Sequence, residues 1–297
     1  MYDIIIIGAG PAGISAAVYG RSRGKKVLVL EKNQVGGLIG TVSSVTHYAA
    51  IVQGESGSTF AERMKEQALG AGVEIRYETV TGTKLAGDIK KVVTDKESYE
   101  SKILILANGG SGRMLGIPGE NLKGVRLNAP RDGLHYKGKN VYVIGGADGA
   151  VKEALYLAKI ADKVTIVCIE EELACIQEFK DKTAACDNIE IMPHASLTAV
   201  YGREEAEELE FTDHETGEKR IVKDSGCGVF VYAGIVPNTQ IYTELKLDGG
   251  YIPVDASMQT EIPGVFAAGD ICVKKVRQVA TAVSDGAVAG IQAAAMC

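Results

Sequence analysis

Asp3-Ile4-Ile5-Ile6-Ile7-Gly8-Ala9-Gly10-Pro11-Ala12-Gly13, carried on to Val27-Leu28-Val29-Leu30-Glu31, decides how the rest of the chain is read. An apolar run enters a glycine-rich turn. A segment of small residues follows, and a second apolar run ends on an acid. The pattern predicts a strand, a tight turn, a helix and a parallel strand, with Glu31 at the tip of the second strand. Gly8 makes the sharp turn. Gly10 has no side chain, so backbone can approach a pyrophosphate, and Gly13 lets the helix lie close to the strand. The helix N-terminus offers free N–H groups and partial positive charge to phosphates. Glu31 can accept two hydrogen bonds from a ribose diol. The expected ligand is a dinucleotide.

A second copy of this unit follows. Asn140-Val141-Tyr142-Val143-Ile144-Gly145-Gly146-Ala147-Asp148-Gly149-Ala150 opens a helix expected over 151–161, and a strand over 164–167 ends at Cys168. Gly145 matches Gly8, Ala147 matches Gly10, Ala150 matches Gly13 and Cys168 matches Glu31, at one constant spacing. The chain therefore repeats one dinucleotide-binding unit. The expected fold class is α/β, with two Rossmann-like three-layer domains, the second inserted in the first. The first is placed at 1–113 and 239–297, the second at 114–238.

The remaining pattern fits this scheme. Helices are expected over 59–69 and 280–295. Strands are expected over 73–80, 103–107, 228–234 and 265–270, with short ones over 250–254 and 258–260. Residues 90–93 and 98–100 read as a small antiparallel pair, 204–220 as a charged hairpin, and 35–48 as an irregular segment over the first site.

Composition excludes several classes. The 297 residues suffice for two domains, and 46% hydrophobic with 24% charged residues describes an ordinary globular protein. A net charge of −6 argues against a general nucleic-acid binder. No segment approaches the ~20 apolar residues of a membrane span, and the first strand starts directly after Met1, so a cytoplasmic protein without a leader is expected. The six cysteines, Cys168, Cys175, Cys186, Cys227, Cys272 and Cys297, include no C-x-x-C pair and no metal-ligand spacing. They are read as free thiols, with Cys297 mobile at the end of the chain. His135, His194 and His214 read as surface residues. No metal site is expected and no catalytic acid or base stands out.

Five features together carry a family resemblance: Gly8-Ala9-Gly10-Pro11-Ala12-Gly13, Gly36-Gly37, Ala107-Asn108-Gly109, Gly269-Asp270, and Arg277-Gln278 before the last helix. With them the chain resembles the thioredoxin reductase branch of the FAD-dependent pyridine nucleotide–disulfide oxidoreductases over nearly its whole length. The resemblance implies FAD in the first domain, with pyrophosphate on the Gly8–Gly13 turn and adenosine ribose on Glu31. It also implies a ribityl hydroxyl on Asp270, with Gln278 and Val279 near the flavin pyrimidine edge. Lys32, Leu38, His47 and Val80 complete the implied FAD-contacting set. His47 and Tyr48 fall where the family has an Asn-Phe pair and are read as packing residues. A homodimer is implied by the family alone.

The chain departs from the family in three places. The stretch Asn128-Ala129-Pro130-Arg131-Asp132-Gly133 stands where the family carries its redox-active CxxC. Dithiol–disulfide exchange needs a thiolate and a resolving partner, so reduction of thioredoxin is not expected. Cys168-Ile169-Glu170-Glu171-Glu172 stands where the family has a His-Arg-Arg run for the 2′-phosphate of NADPH. Carboxylates there repel that phosphate, while Glu170 can take a ribose diol, which favours NADH; an acidic helix start of the same composition is the plainer alternative. The methyl of Ala147 crowds the second pyrophosphate turn. The nucleotide candidates are accordingly Gly145, Gly146, Asp148 and Glu170.

The expected function is a flavin-dependent oxidoreductase passing electrons from NADH, or from a ferredoxin-like or other small redox partner, through FAD to a non-disulfide acceptor. A ferredoxin-linked reductase with a vestigial nucleotide domain is the near alternative. A non-catalytic FAD-binding sensor or subunit is the distant one.

Overall fold

The computed structural model describes all 297 residues. The chain begins with β1 (Tyr2–Ile7), α1 (Pro11–Ser22), β2 (Val27–Glu31), α2 (Gly57–Gly70), β3 (Glu74–Tyr77), β4 (Val80–Lys84), β5 (Lys90–Thr94), β6 (Ser98–Leu106) and β7 (Gly110–Gly112). The middle carries β8 (Val125–Arg126), α3 (Ala129–Asp132), β9 (Asn140–Ile144), α4 (Asp148–Leu157), β10 (Lys163–Val167), α5 (Gln177–Ala184) and β11 (Ile189–Met192). There follow β12 (Ala195–Tyr201), β13 (Glu208–Asp213), β14 (Lys219–Lys223), β15 (Gly228–Val231) and β16 (Ile235–Pro237), and the chain closes with β17 (Val265–Ala267) and α6 (Val279–Ala295).

Two compact units result, Met1–Ser111 with Val236–Cys297, and Gly112–Ile235. The crossings thus lie a few residues before the 113/114 and 238/239 positions expected from sequence. Asn238 explains the second shift: its N–H donates to Gly109 O (3.0 Å) and its Nδ2 to Asn108 O (2.8 Å), which ties it to the first unit.

In the first unit a sheet of order β3-β2-β1-β6-β5-β4 has β17 paired on β6. Strands β1, β2, β3, β6 and β17 are mutually parallel, while β5 runs antiparallel to both its neighbours, β6 and β4. Ile4, Ile5 and Ile6 are fully buried, because both faces are covered and the strand reads as an unbroken apolar run. On one face, Ile4, Ile6, Val27 and Val29 pack with Ile14 and Ala17 of α1, Phe60 and Met64 of α2, and Ala289 of α6. On the other, Ile5, Ile7, Leu28 and Leu30 meet Leu85, Tyr242, Ile252 and Ile271. Helices α1 and α6 touch backbone to backbone. A methyl at Gly286 would stand 2.1 Å from Ala12 O, and one at Gly290 2.4 Å from Ala16 O. The small residues of α6 are therefore packing residues.

The second unit has a parallel sheet of order β11-β10-β9-β15-β8. Ala150, Val151, Ala154 and Leu157 of α4 pack on one face with Val141 and Val143. Tyr142, Ile144, Val229 and Val231 pack the other face against Leu197, Leu209 and Phe211 of the antiparallel sheet β12-β13-β14.

Several element expectations are corrected. The strand expected over 73–80 is two strands, because Glu78 N–H bonds Glu31 O (2.9 Å) and Thr79 N–H bonds Asp95 Oδ1 (2.9 Å), which turns the chain between them. The strands expected over 98–100 and 103–107 are one continuous strand, β6, which ends at Leu106. The hairpin expected over 204–220 is part of a three-stranded sheet. Residues 250–254 and 258–260 make only isolated bridges, Ile252 with Cys272 and Gln259 with Phe266 among them. Helix α4 begins at Asp148 and ends at Leu157, short of the expected 161.

Candidate functional site: two glycine turns

In the first unit the turn between β1 and α1 follows the geometry expected of its residues. Gly8 has φ +101°, and a methyl on it would stand 2.5 Å from Ala107 O. A methyl at Gly13 would stand 1.9 Å from Gly8 O, so only glycine allows α1 this close to the strand. Gly10 is different: a methyl there would meet nothing nearer than Gly36 O at 3.9 Å. Its exposed side is open, as a backbone-to-pyrophosphate approach requires. Gly36 (φ +118°) and Gly37 (φ +58°) curl beside it, and a methyl at Gly37 would lie 3.4 Å from Gly10 Cα. Pro11 opens α1 at its first position, Ala12 is buried, Leu38 and Lys32 are exposed, and Val80 is half-buried.

Glu31 is buried at the end of β2 and folds back over the turn. Its Oε2 accepts from Ala9 N–H (2.8 Å) and its Oε1 from Asn33 N–H (3.0 Å). Each oxygen retains acceptor capacity for a ribose hydroxyl.

The second half of this site comes from far along the chain. Gly269 (φ +83°) places Asp270 at the end of β17, and Asp270 Oδ1 is buried without a hydrogen-bond partner. Burial pushes the Asp270 carboxyl above its ordinary range, against the pull of Lys274 and Arg277. A buried acceptor with no partner is what a missing ligand hydroxyl leaves behind. Gln278 caps α6 and Val279 is its first residue, so free N–H groups point outward from that end. Arg277 Nε lies 3.4 Å from Asp270 O, and its guanidinium sits 4.2 Å over the Tyr251 ring. Together the open Gly10 cradle and the unpartnered Asp270 oxygen fit FAD.

Two candidate contacts also bond within the protein. Asn108 accepts at Oδ1 from Tyr242 O–H (2.6 Å) and donates from Nδ2 to Asn238 O (2.8 Å), so its side chain braces the turn Ala107–Gly109. His47 Nδ1 lies 2.9 Å from Thr46 Oγ1, and neighbouring Tyr48 packs edge-on against Phe60. Sequence reading missed Asp285. On α6 it accepts from Gly269 N–H (3.0 Å) and pairs with Lys274, and both side chains are largely buried. A lone acid in a helix of alanines and glycines was the available signal.

The turn in the second unit is built to looser tolerances. Gly145 has φ +131°, and a methyl on it would stand 2.6 Å from Tyr232 O, as at Gly8. Ala147 and Ala150 carry methyl groups where the first turn has glycine. Asp148 is the first residue of α4, and its Oδ1 accepts from Ile176 N–H (2.9 Å), which fastens the loop 169–176 beside the turn. Glu170 comes two residues after the strand-end position. Its Oε2 lies 3.6 Å from where a methyl on Gly146 would stand, and Cys168 Cβ lies 2.9 Å from the same point.

The stretch 128–133 carries the short helix α3 with its two caps, Asn128 and Gly133. Asn128 Oδ1 accepts from Arg131 N–H (2.9 Å), and Arg131 grips Asp132 with two bonds of 2.9 and 2.7 Å. All six cysteines are free thiols. Burial pushes Cys227 and Cys272 up to about 12, which keeps both protonated at neutral pH. Cys297, expected to be mobile, is held: its Sγ contacts Asp3 O and Ala293 O, and its carbonyl accepts from Lys25 Nζ (2.8 Å). His135 and His214 are exposed, and His194 is half-buried at φ +49°.

Comparison with known proteins matches residues 2–286 to the pyridine nucleotide-disulphide oxidoreductase family. The chain is 38% identical to the thioredoxin reductase of Peptoclostridium acidaminophilum, over 99% of this chain and 96% of that one. It is 36% identical to a 34.2 kDa protein in the rubredoxin operon of Clostridium pasteurianum, over 98% of this chain and 96% of that one. Among solved structures it superposes on Lactococcus lactis thioredoxin reductase with a TM-score of 0.95 and 33% identity, covering 99% of this chain and 98% of the other.

Proposed function

The chain belongs to the FAD-dependent pyridine nucleotide–disulphide oxidoreductases and is thioredoxin reductase-like, and we propose that it oxidises NADH and reduces a small one-electron carrier protein. The observation that carries the choice of NADH is Glu170. Its exposed carboxylate lies 3.6 Å from where a methyl on Gly146 would stand, and Gly146 matches Ala9, whose N–H bonds the buried Glu31 in the first unit. A carboxylate there accepts a ribose diol and repels a 2′-phosphate.

Bound FAD would supply the capacity to take up a hydride and to pass electrons on one at a time. The chain's own residues do the rest. The Gly8–Gly13 turn would hold the pyrophosphate of FAD, Glu31 its ribose, and Asp270 a ribityl hydroxyl. The N-terminus of α6 at Gln278 and Val279 supports negative charge on the pyrimidine edge. In sum, NADH and two oxidised carriers give NAD+, two reduced carriers and one proton. With no pair of cysteines spaced for dithiol exchange, a disulfide acceptor is disfavoured. The relative in a rubredoxin operon supports a small redox protein in its place.

Anaerobic titration with NADH and NADPH, following the oxidised flavin band, tests this reading. NADH is expected to bleach the flavin well ahead of NADPH, and Glu170→Gln to weaken NADH by about tenfold, the worth of a charge-assisted hydrogen bond. Equal use of both nucleotides, or an unchanged Glu170→Gln variant, would overturn the assignment. Ala147 favours a second reading, in which a reduced carrier is the donor. Bleaching by dithionite and a reduced ferredoxin, but by neither nucleotide, is its signature.

A further inference from the structure

The segment 271–277, Ile-Cys-Val-Lys-Lys-Val-Arg, joins the two halves of the FAD site, from Asp270 to Gln278. It contains three cations and no acid, in a chain whose net charge is −6. Lys274 is neutralised by Asp285, which leaves Lys275 and Arg277 as the segment's unmatched charges. Val273 and Val276 flank the lysines and are 44% and 56% exposed. Val273, Lys275 and Val276 thus expose two apolar side chains beside one free cation, on the segment that links the two halves of the site.

The segment is tied to its surroundings at several points. Val273 N–H bonds Ile252 O (3.0 Å), Cys272 N–H bonds Gly269 O (3.1 Å), and Thr281 Oγ1 donates to Val276 O (3.2 Å). Arg277 is stacked on Tyr251, and Lys274 is fixed to α6 through Asp285. What is left outward is Val273, Lys275 and Val276. The covalent chain limits its distance from the cofactor residues: Val273 Cα lies within about 11 Å of Asp270 Cα, and Val276 Cα within about 7 Å of Gln278 Cα.

We propose that segment 271–277 is the docking surface for a small acidic electron-carrier protein, with Lys275 meeting the carrier's carboxylates and Val273 and Val276 packing at the centre of the contact. Charge complementarity selects this occupant: a basic, apolar-centred patch on an acidic protein steers acidic partners to one place. The proposal rests on the reading that a small carrier protein is the redox partner.

The test uses the FAD-loaded protein with oxidised rubredoxin as the acidic probe and a basic cytochrome c as the contrast. Binding is measured directly by calorimetry at low salt. Rubredoxin is expected to bind, and more weakly as salt rises from about 20 to about 200 mM, because screening shortens the reach of exposed charges. Lys275→Glu should weaken binding by about fivefold or more, and Val273→Ser/Val276→Ser by a similar factor. Flavin bleaching by NADH should stay as in the parent protein. Binding of rubredoxin that neither variant alters, or binding of cytochrome c as tight as that of rubredoxin, would overturn the docking surface while the NADH reading stands. Loss of rubredoxin binding in both variants, in a protein whose flavin NADH never bleaches, would uphold the surface and sink the NADH reading instead.

Discussion

The two glycine turns descend from one pattern at one constant spacing, yet they are built to different tolerances. In the first, a single methyl at Gly13 would overlap Gly8 O at 1.9 Å, and Gly10 is bare toward the ligand. In the second, Ala150 is a fully buried methyl at the position of Gly13, so α4 must stand farther from its turn than α1 does. Ala147 puts another methyl on the side that Gly10 leaves open. A close helix gives short contacts from its N–H groups to a phosphate, and a bare turn lets backbone reach it. The first turn has both properties and the second has neither in full. The difference suits a cofactor that stays bound in one place and a nucleotide that comes and goes in the other.

The largest expected effect comes from exchanging the tight positions. Gly13→Ala should cost about 3 kcal/mol, the upper end for forcing a methyl into packed backbone, and yield protein without FAD. Ala150→Gly should cost only about 1 kcal/mol, the helix penalty of glycine. Thermal melting and flavin content check both. Equal losses would show that the two turns are equally tight and break the comparison.

The cradle positions sharpen it. Gly10→Ala should weaken FAD by about tenfold, while Ala147→Gly should tighten NADH by about tenfold, each near 1.4 kcal/mol. Dissociation constants from fluorescence titration decide it. An Ala147→Gly variant with unchanged NADH affinity would mean that the methyl lies outside the phosphate path.

The smallest effect concerns Asp270. Burial raises its carboxyl above the unfolded value, so the folded apoprotein keeps this proton to higher pH than the unfolded chain does. Its contribution to stability is full below the ordinary aspartate value and is lost as pH rises through the folded one. Asp270→Asn escapes that loss. Its apoprotein should melt a few degrees above the parent, with a gap that widens from acid toward neutral pH, while its affinity for FAD falls. A pH-independent gap would assign the effect to packing alone.

Much of the site was legible because its determinants are local. The run Ile4–Ile7, the glycines at 8, 10 and 13, and the acid at 31 define strand, turn, helix and strand within thirty residues, and the structure has them at Tyr2–Ile7, Pro11–Ser22 and Val27–Glu31. The break between β3 and β4 was not legible, since it is made by Glu31 and Asp95, both distant in sequence. Residues 250–260 carry strand-like patterning but find only single bridging partners. Asn108, a candidate ligand contact, is also braced by Tyr242 and Asn238, more than a hundred residues away, which no local spacing announces.

The sequence by itself determined the repeat, the fold class, the two glycine turns and the missing C-x-x-C pair, because each depends on residue type at short fixed spacing. Only the tertiary structure decided how near α1 stands to its turn, that Asp270 has a buried oxygen without a partner, and that Asp285 holds Gly269. It also put the Glu170 carboxylate near Gly146 although the acid sits two residues off the expected position. The physical reason is that distances of a few tenths of an ångström and the path of a loop back over a turn are set by packing among residues far apart in the chain, which no local spacing encodes.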